Sequence, residues 1–200
     1  MSFAISELLA DFLAVALAGA AIKLMDDYLD FAQDTAYGRP SLAHALGSGI
    51  VPYALVFALL ASGINAGLAA PLVLAAYAVG MLKDPRQMLP LGFPAWMESA
   101  LVAVATCLLF GWRATCVSIA LMVAVQLADD LYDWTRERTA SSANLARITG
   151  KGTALLLSII AVLIALALDL RTTVLVCVCA PVVAAAAHVV GASGGESGDD

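Results

Sequence analysis

Charge is scarce in this chain. Of its 200 residues only 13% are charged, against 62% hydrophobic residues and a mean hydropathy of +0.92. That poverty excludes a water-soluble globule, which needs a charged surface. Histidine and cysteine are nearly as rare. His44 and His188 stand alone and are assigned no ligand role. Cys107, Cys116, Cys177 and Cys179 lie in or beside apolar runs, which suits small packing residues better than disulfides or a metal site. The amino-terminal segment lacks a basic patch and carries Glu7 and Asp11 instead, so the first apolar run reads as a retained helix, not a cleaved leader. No nucleic-acid partner is expected.

What the chain has is apolar length. Seven runs, at about 5–25, 50–66, 68–83, 95–112, 114–129, 152–168 and 172–191, approach the ~20 residues a membrane-crossing helix requires. Backbone in lipid must satisfy its own hydrogen bonds, so repeated runs of this kind mean helices. The expected fold is therefore all-α, a polytopic transmembrane bundle of about seven helices, forming one domain over residues 1–192. The closing "SGGESGDD" at 193–200 has the composition of a disordered acidic tail.

If seven helices alternate, the loops at about 26–49, 84–94 and 130–151 share one face. Lys23, Arg39, Lys83, Arg86, Arg136, Arg138, Arg147 and Lys151 fall there, leaving only Arg113 and Arg171 for the other. By the positive-inside rule that face is cytoplasmic, with the amino terminus outside.

Seven of the sixteen acids form two clusters on that face. Asp26, Asp27, Asp30 and Asp34 end the first run, and Asp129, Asp130 and Asp133 end the fifth. Residues three and four apart share a helix face, so the carboxylates of each set project together. Carboxylates ~5.5 Å apart repel by ~3 kcal/mol at an effective dielectric near 20. Burial in the bilayer adds ~2.5–3.5 kcal/mol each. A single Asp of this kind is most simply a solvated helix end; two sets in register point to a hard divalent cation, with Mg²⁺ the simplest choice. The two Asp-rich ends are expected to face one cytoplasmic-side cavity and cradle a diphosphate.

These motifs resemble those of the UbiA-type intramembrane prenyltransferases, marked by Asn-Asp-x-x-Asp-x-x-x-Asp and a later Asp-x-x-x-Asp. Asp26 stands where the family has Asn, followed by Asp27, Asp30 and Asp34; Asp129 and Asp133 form the second motif. "GRP" at 38–40, "YAVGMLKDPRQMLPLG" with Tyr77, Lys83, Gln87, Leu91 and Gly92, and "NLARITGKG" at 144–152 add to the likeness. There are departures: the family usually has nine helices, so this chain would be a reduced member or would complete its bundle with a second copy, and Asp84 replaces a commonly basic residue.

The resemblance implies Mg²⁺-dependent transfer of an isoprenoid chain from its diphosphate to a lipophilic or aromatic acceptor in the membrane. It implies metal binding by Asp27, Asp30 and Asp34 at one site and Asp129 and Asp133 at another, with Asp26 and Asp130 as supporting ligands. Lys83, Arg39, Arg86, Arg136 and Lys151 are the candidate diphosphate contacts, since cations offset its charge. Their plainer role is topological. Tyr77 is the leading candidate to face the carbocation; Tyr28 and Tyr132, like Trp96, Trp112 and Trp134, read more simply as interfacial anchors. An intramembrane terpene cyclase or prenyl diphosphatase would use the same motifs. A divalent-cation transporter or inactive scaffold is disfavoured, because beyond Glu7 at the amino terminus only Asp11, Glu98 and Asp169 lie away from the acidic face, too few for a carboxylate chain across the bilayer.

Overall fold

The computed structural model describes residues 2–37, 41–90, 92–136 and 149–194. Every regular element among them is helical: α1 (Ser2–Leu29), α2 (Phe31–Tyr37), α3 (Leu42–Leu46), a 3₁₀ turn (Gly47–Gly49), α4 (Ile50–Met81), α5 (Ala95–Phe110), α6 (Trp112–Arg136), α7 (Lys151–Leu168) and α8 (Leu170–Gly194). Arg39, Leu91, Arg138, Arg147 and the tail from 195 onward lie outside the described residues. Helix α8 runs to Gly194 and so takes in the first two residues of the expected tail.

Five apolar stretches are long enough to cross a membrane: Ile5–Leu29, Leu42–Met81, Trp112–Tyr132, Lys151–Leu168 and Leu170–Gly191. The chain is thus an integral membrane protein by length and composition. The second stretch is too long for one crossing, since the 32 residues of α4 would extend about 48 Å against about 30 Å of hydrocarbon. It is broken at Asn65, whose φ of −150° and ψ of 90° are extended. Ala61 and Ala69, four residues before and after the break, meet Ala18 in one cluster, as the arms of a hairpin do. The expected runs at 50–66 and 68–83 are these two arms, joined by one residue.

Asp169 repeats the device between α7 and α8, with φ −151° and ψ 99°. In both turns an Asx side chain caps the helix that follows: Leu68 N–H donates to Asn65 Oδ1 at 3.2 Å, and Thr172 N–H to Asp169 Oδ1 at 3.1 Å. An extended residue with a side-chain acceptor three positions before an orphan N–H is the local rule for starting a helix. Gly111 makes a third one-residue turn, at a positive φ of 87° that other residues adopt only under strain.

The chain divides into two compact units, Met1–Val73 with Leu175–Asp200, and Leu74–Val174. In the first, α1 runs antiparallel to the first arm of α4. Asn65 Nδ2 donates to Asp11 at 2.8 Å near one end, and Leu24 clusters with Ile50 and Ala54 near the other. The carboxyl part of α8 runs parallel to α1, with Cys179 against the Phe12 carbonyl, Val183 against Gly19 and Ala187 in the cluster of Leu24. In the second unit α6 and α7 are antiparallel: Arg113 reaches the Leu168 carbonyl, Ser158 the Ala124 carbonyl, and Leu127 packs on Ala154.

Packing sorts residues by size. In α7 the buried positions are Ala154, Ala161 and Ala165, while Leu155, Leu156, Ile159, Ile160, Leu163 and Ile164 are exposed. Lipid is as apolar as leucine, so nothing drives large aliphatics inward, and alanine lets the backbones approach.

Candidate functional site

Helix α1 is 28 residues long, about 42 Å, so its last turns extend beyond a 30 Å hydrocarbon layer. The acids sit in those turns. Backbone hydrogen bonds carry the helix almost unbroken into α2, since Asp30 N–H donates to the Asp26 carbonyl and Asp34 N–H to the Asp30 carbonyl, both at 2.9 Å. Asp26, Asp30 and Asp34 therefore follow one another at four-residue intervals along one ridge.

Asp27 is different. It is 6% exposed, its Oδ1 lies 2.9 Å from Lys23 Nζ, and its Oδ2 accepts the Leu42 N–H at 2.9 Å. Both oxygens are engaged, and the residue ties the end of α1 to the start of α3. Lys23 also lies 3.7 Å from Asp26. The carboxyl end of a helix is already partially negative, so carboxylates there need a cation more than they would elsewhere. Lys23 supplies one.

His44 completes this corner of the first unit. Its Nε2 pairs with Thr35 Oγ1 at 3.0 Å, its Nδ1 with Ser41 Oγ at 2.9 Å, and its ring lies 4.9 Å from that of Phe31. Two hydroxyl partners make it a clamp between α2 and α3.

In the second unit Asp129 and Asp130 occupy the final turns of α6, Asp129 exposed and Asp130 buried at 9%. Asp133 and Arg136 are placed on the same helix by their backbone; their side chains lie outside the described residues. Trp134 packs against Leu127 and Ala154. Tyr28, Tyr132, Trp96 and Trp112 are exposed. Lys83, in the turn after α4, is half-buried, whereas Arg86 and Lys151 are exposed.

Tyr77 leads to a residue that sequence reasoning set apart from the acidic face. Its hydroxyl donates to Glu98 Oε2 at 2.7 Å. Glu98 belongs to the first turn of α5, immediately after the 82–94 loop. That loop caps the helix, with Ala95 N–H on the Gln87 carbonyl and Trp96 N–H on that of Pro85. Glu98 is 6% exposed, and its Oε1, like the Oγ of buried Ser99, has no hydrogen-bond partner among the described residues. Each unpaired buried polar atom costs on the order of 1–3 kcal/mol. The available signal was one carboxylate in the first turn of an otherwise apolar helix.

Asp11 and Asp169, the other acids set apart, serve the one-residue turns.

Among the described residues no three His, Cys, Asp or Glu side chains gather as a ready cation cage. The donor chemistry of Asp26, Asp30 and Asp34 nonetheless suits Mg²⁺, which takes one or two carboxylates and completes its shell with water and phosphate oxygens. No family model, curated protein or solved structure matches the chain.

Proposed function

We propose that the protein is an intramembrane, Mg²⁺-dependent prenyltransferase that moves an isoprenoid chain from a prenyl diphosphate to a lipophilic or aromatic acceptor. What supports this reading is two carboxylate sets, Asp26 to Asp34 and Asp129 to Asp133, that begin in the last turns of apolar helices α1 and α6. That is the electrostatically unfavourable end, so both sets call for cationic partners. We assign one ion to the adjacent pair Asp30 and Asp34, with water and diphosphate oxygens completing its shell, and a second to Asp129 and Asp133 with Asp130 beside them. Bound Mg²⁺ would act as Lewis acid and template, offsetting charge that develops on the departing diphosphate.

The chain's own groups do the rest. Lys83, Arg86 and Lys151, with Arg39 and Arg136, hold the diphosphate by charge-assisted hydrogen bonds. The apolar helix faces receive the isoprenoid tail and keep water from the ionised allylic carbon. On this reading the acidic ends are cytoplasmic and the prenyl donor enters from the lipid.

The test is turnover of a radiolabelled prenyl diphosphate by the full chain in lipid, with and without Mg²⁺. Asp30→Ala and Asp129→Ala should each abolish turnover while membrane insertion is unchanged. Unaltered activity in either variant removes the metal assignment. Fast release of a cyclised or hydrolysed product without any acceptor would replace transfer by cyclisation or diphosphate hydrolysis on the same residues.

A further inference from the structure

The second unit buries a polar group that the transfer chemistry above leaves unused. Glu98 Oε2 is taken by the Tyr77 hydroxyl at 2.7 Å, but Glu98 Oε1 and Ser99 Oγ, on adjacent residues of one helical turn, are buried and unpaired among the described residues. Glu98 Oε1 is a carboxyl oxygen with lone pairs left to accept. Ser99 offers a hydrogen as well as lone pairs.

A hydroxyl offers what each atom lacks: an O–H to donate to Glu98 Oε1 and an oxygen to accept from Ser99 Oγ. An ammonium would satisfy Oε1 and leave the Ser99 hydrogen unpaired, and an ether would do the reverse. The surroundings suit an apolar body. Tyr77 is 42% exposed at the helix surface, and the neighbouring α5 residues Leu101 and Val104 are exposed aliphatics.

Depth fits an acceptor as well. Gly111 alone separates α5 from α6, so the two helices run back along each other. Glu98 lies 13 residues before Gly111 and Asp129 18 after it (111 − 98 and 129 − 111), an offset of five residues or about 7–8 Å along the axes. The group is therefore set inward of the Asp129 carboxylate, within the apolar length of the unit.

We propose that Glu98, Ser99 and Tyr77 form a binding site for the hydroxyl group of a lipophilic alcohol or phenol. That this molecule is the prenyl acceptor rests on the prenyl-transfer reading; the binding itself does not.

The test uses the full chain in lipid nanodiscs and equilibrium dialysis of para-heptylphenol, its methyl ether and heptylamine, with empty nanodiscs as the partition blank. Saturable binding of the phenol is expected, weakened about tenfold or more for the ether and for Glu98→Gln, and severalfold for Ser99→Ala. Equal affinity of phenol and ether for the unaltered chain overturns the proposal without reliance on any variant. Absence of saturable phenol binding also overturns it, as does tighter binding of the amine, which would make Glu98 a cation site. Phenol binding in a chain that transfers no prenyl group removes the proposed function and leaves the site standing. Transfer to a phenol that survives Glu98→Gln while binding is lost removes the identification of this site with the acceptor.

Discussion

At the residue scale, neighbouring aspartates in one motif do different work. Asp27 is buried, paired with Lys23 and bonded to the Leu42 N–H, so Asp27→Ala strands a cation and a backbone donor together. A loss of about 1–3 kcal/mol is expected, read as a lowered thermal midpoint in detergent. Asp27→Asn, which keeps an acceptor for Leu42, should lose less. Asp30→Ala should abolish turnover in chain that still inserts and folds, so loss of folded protein there would recast Asp30 as structural. The Asn65 turn offers a second test. Asn65→Ala removes a helix cap, costing about 1 kcal/mol, and also the bond to Asp11. A double-mutant cycle should therefore show coupling between Asp11 and Asn65.

At the element scale, helix approach is limited by what fits between backbones. A Cβ added at Gly191 would stand 3.3 Å from the Ser41 carbonyl carbon, whereas one at Gly19 would meet only a Val183 methyl at 3.4 Å. Backbone yields less readily than a methyl group. Gly191→Val should lower stability by about 1–3 kcal/mol and loosen the α8 end from the segment before α3, while Gly19→Ala should be close to neutral. Limited proteolysis near Ser41 reads the loosening. Gly111→Ala is costly for another reason, since its φ of 87° strains any side chain by about 1 kcal/mol.

At the scale of the whole molecule, charge sets orientation. Asp84 lies in the loop between α4 and α5, and Arg113 begins α6 after the one-residue turn at Gly111. In a background free of the four native cysteines, Asp84→Cys should label from the cytoplasmic side and Arg113→Cys from the opposite side, as the excess of Lys and Arg in the acidic-face loops requires. Labelling of both from one side would overturn the alternation of helices. Labelling of Asp84→Cys only from outside would invert the orientation.

Composition by itself determined that the chain is a membrane protein, because apolar length is a sum over residues and needs no partner. Run boundaries located every long helix among the described residues. The connections were less legible: the runs at 50–66 and 68–83 imply a turn between them, but its reduction to Asn65 alone depends on a side-chain cap and on alanines meeting across the hairpin. Individual roles within the motifs were not legible at all. Four aspartates in a row of characters are equivalent, and only folding put Lys23 and the Leu42 N–H on one of them. Glu98 shows the same limit, since its partner Tyr77 is 21 residues away on another helix. A pattern along one helix follows from the 3.6-residue repeat. Which helix lies beside it follows from packing, which local sequence does not encode.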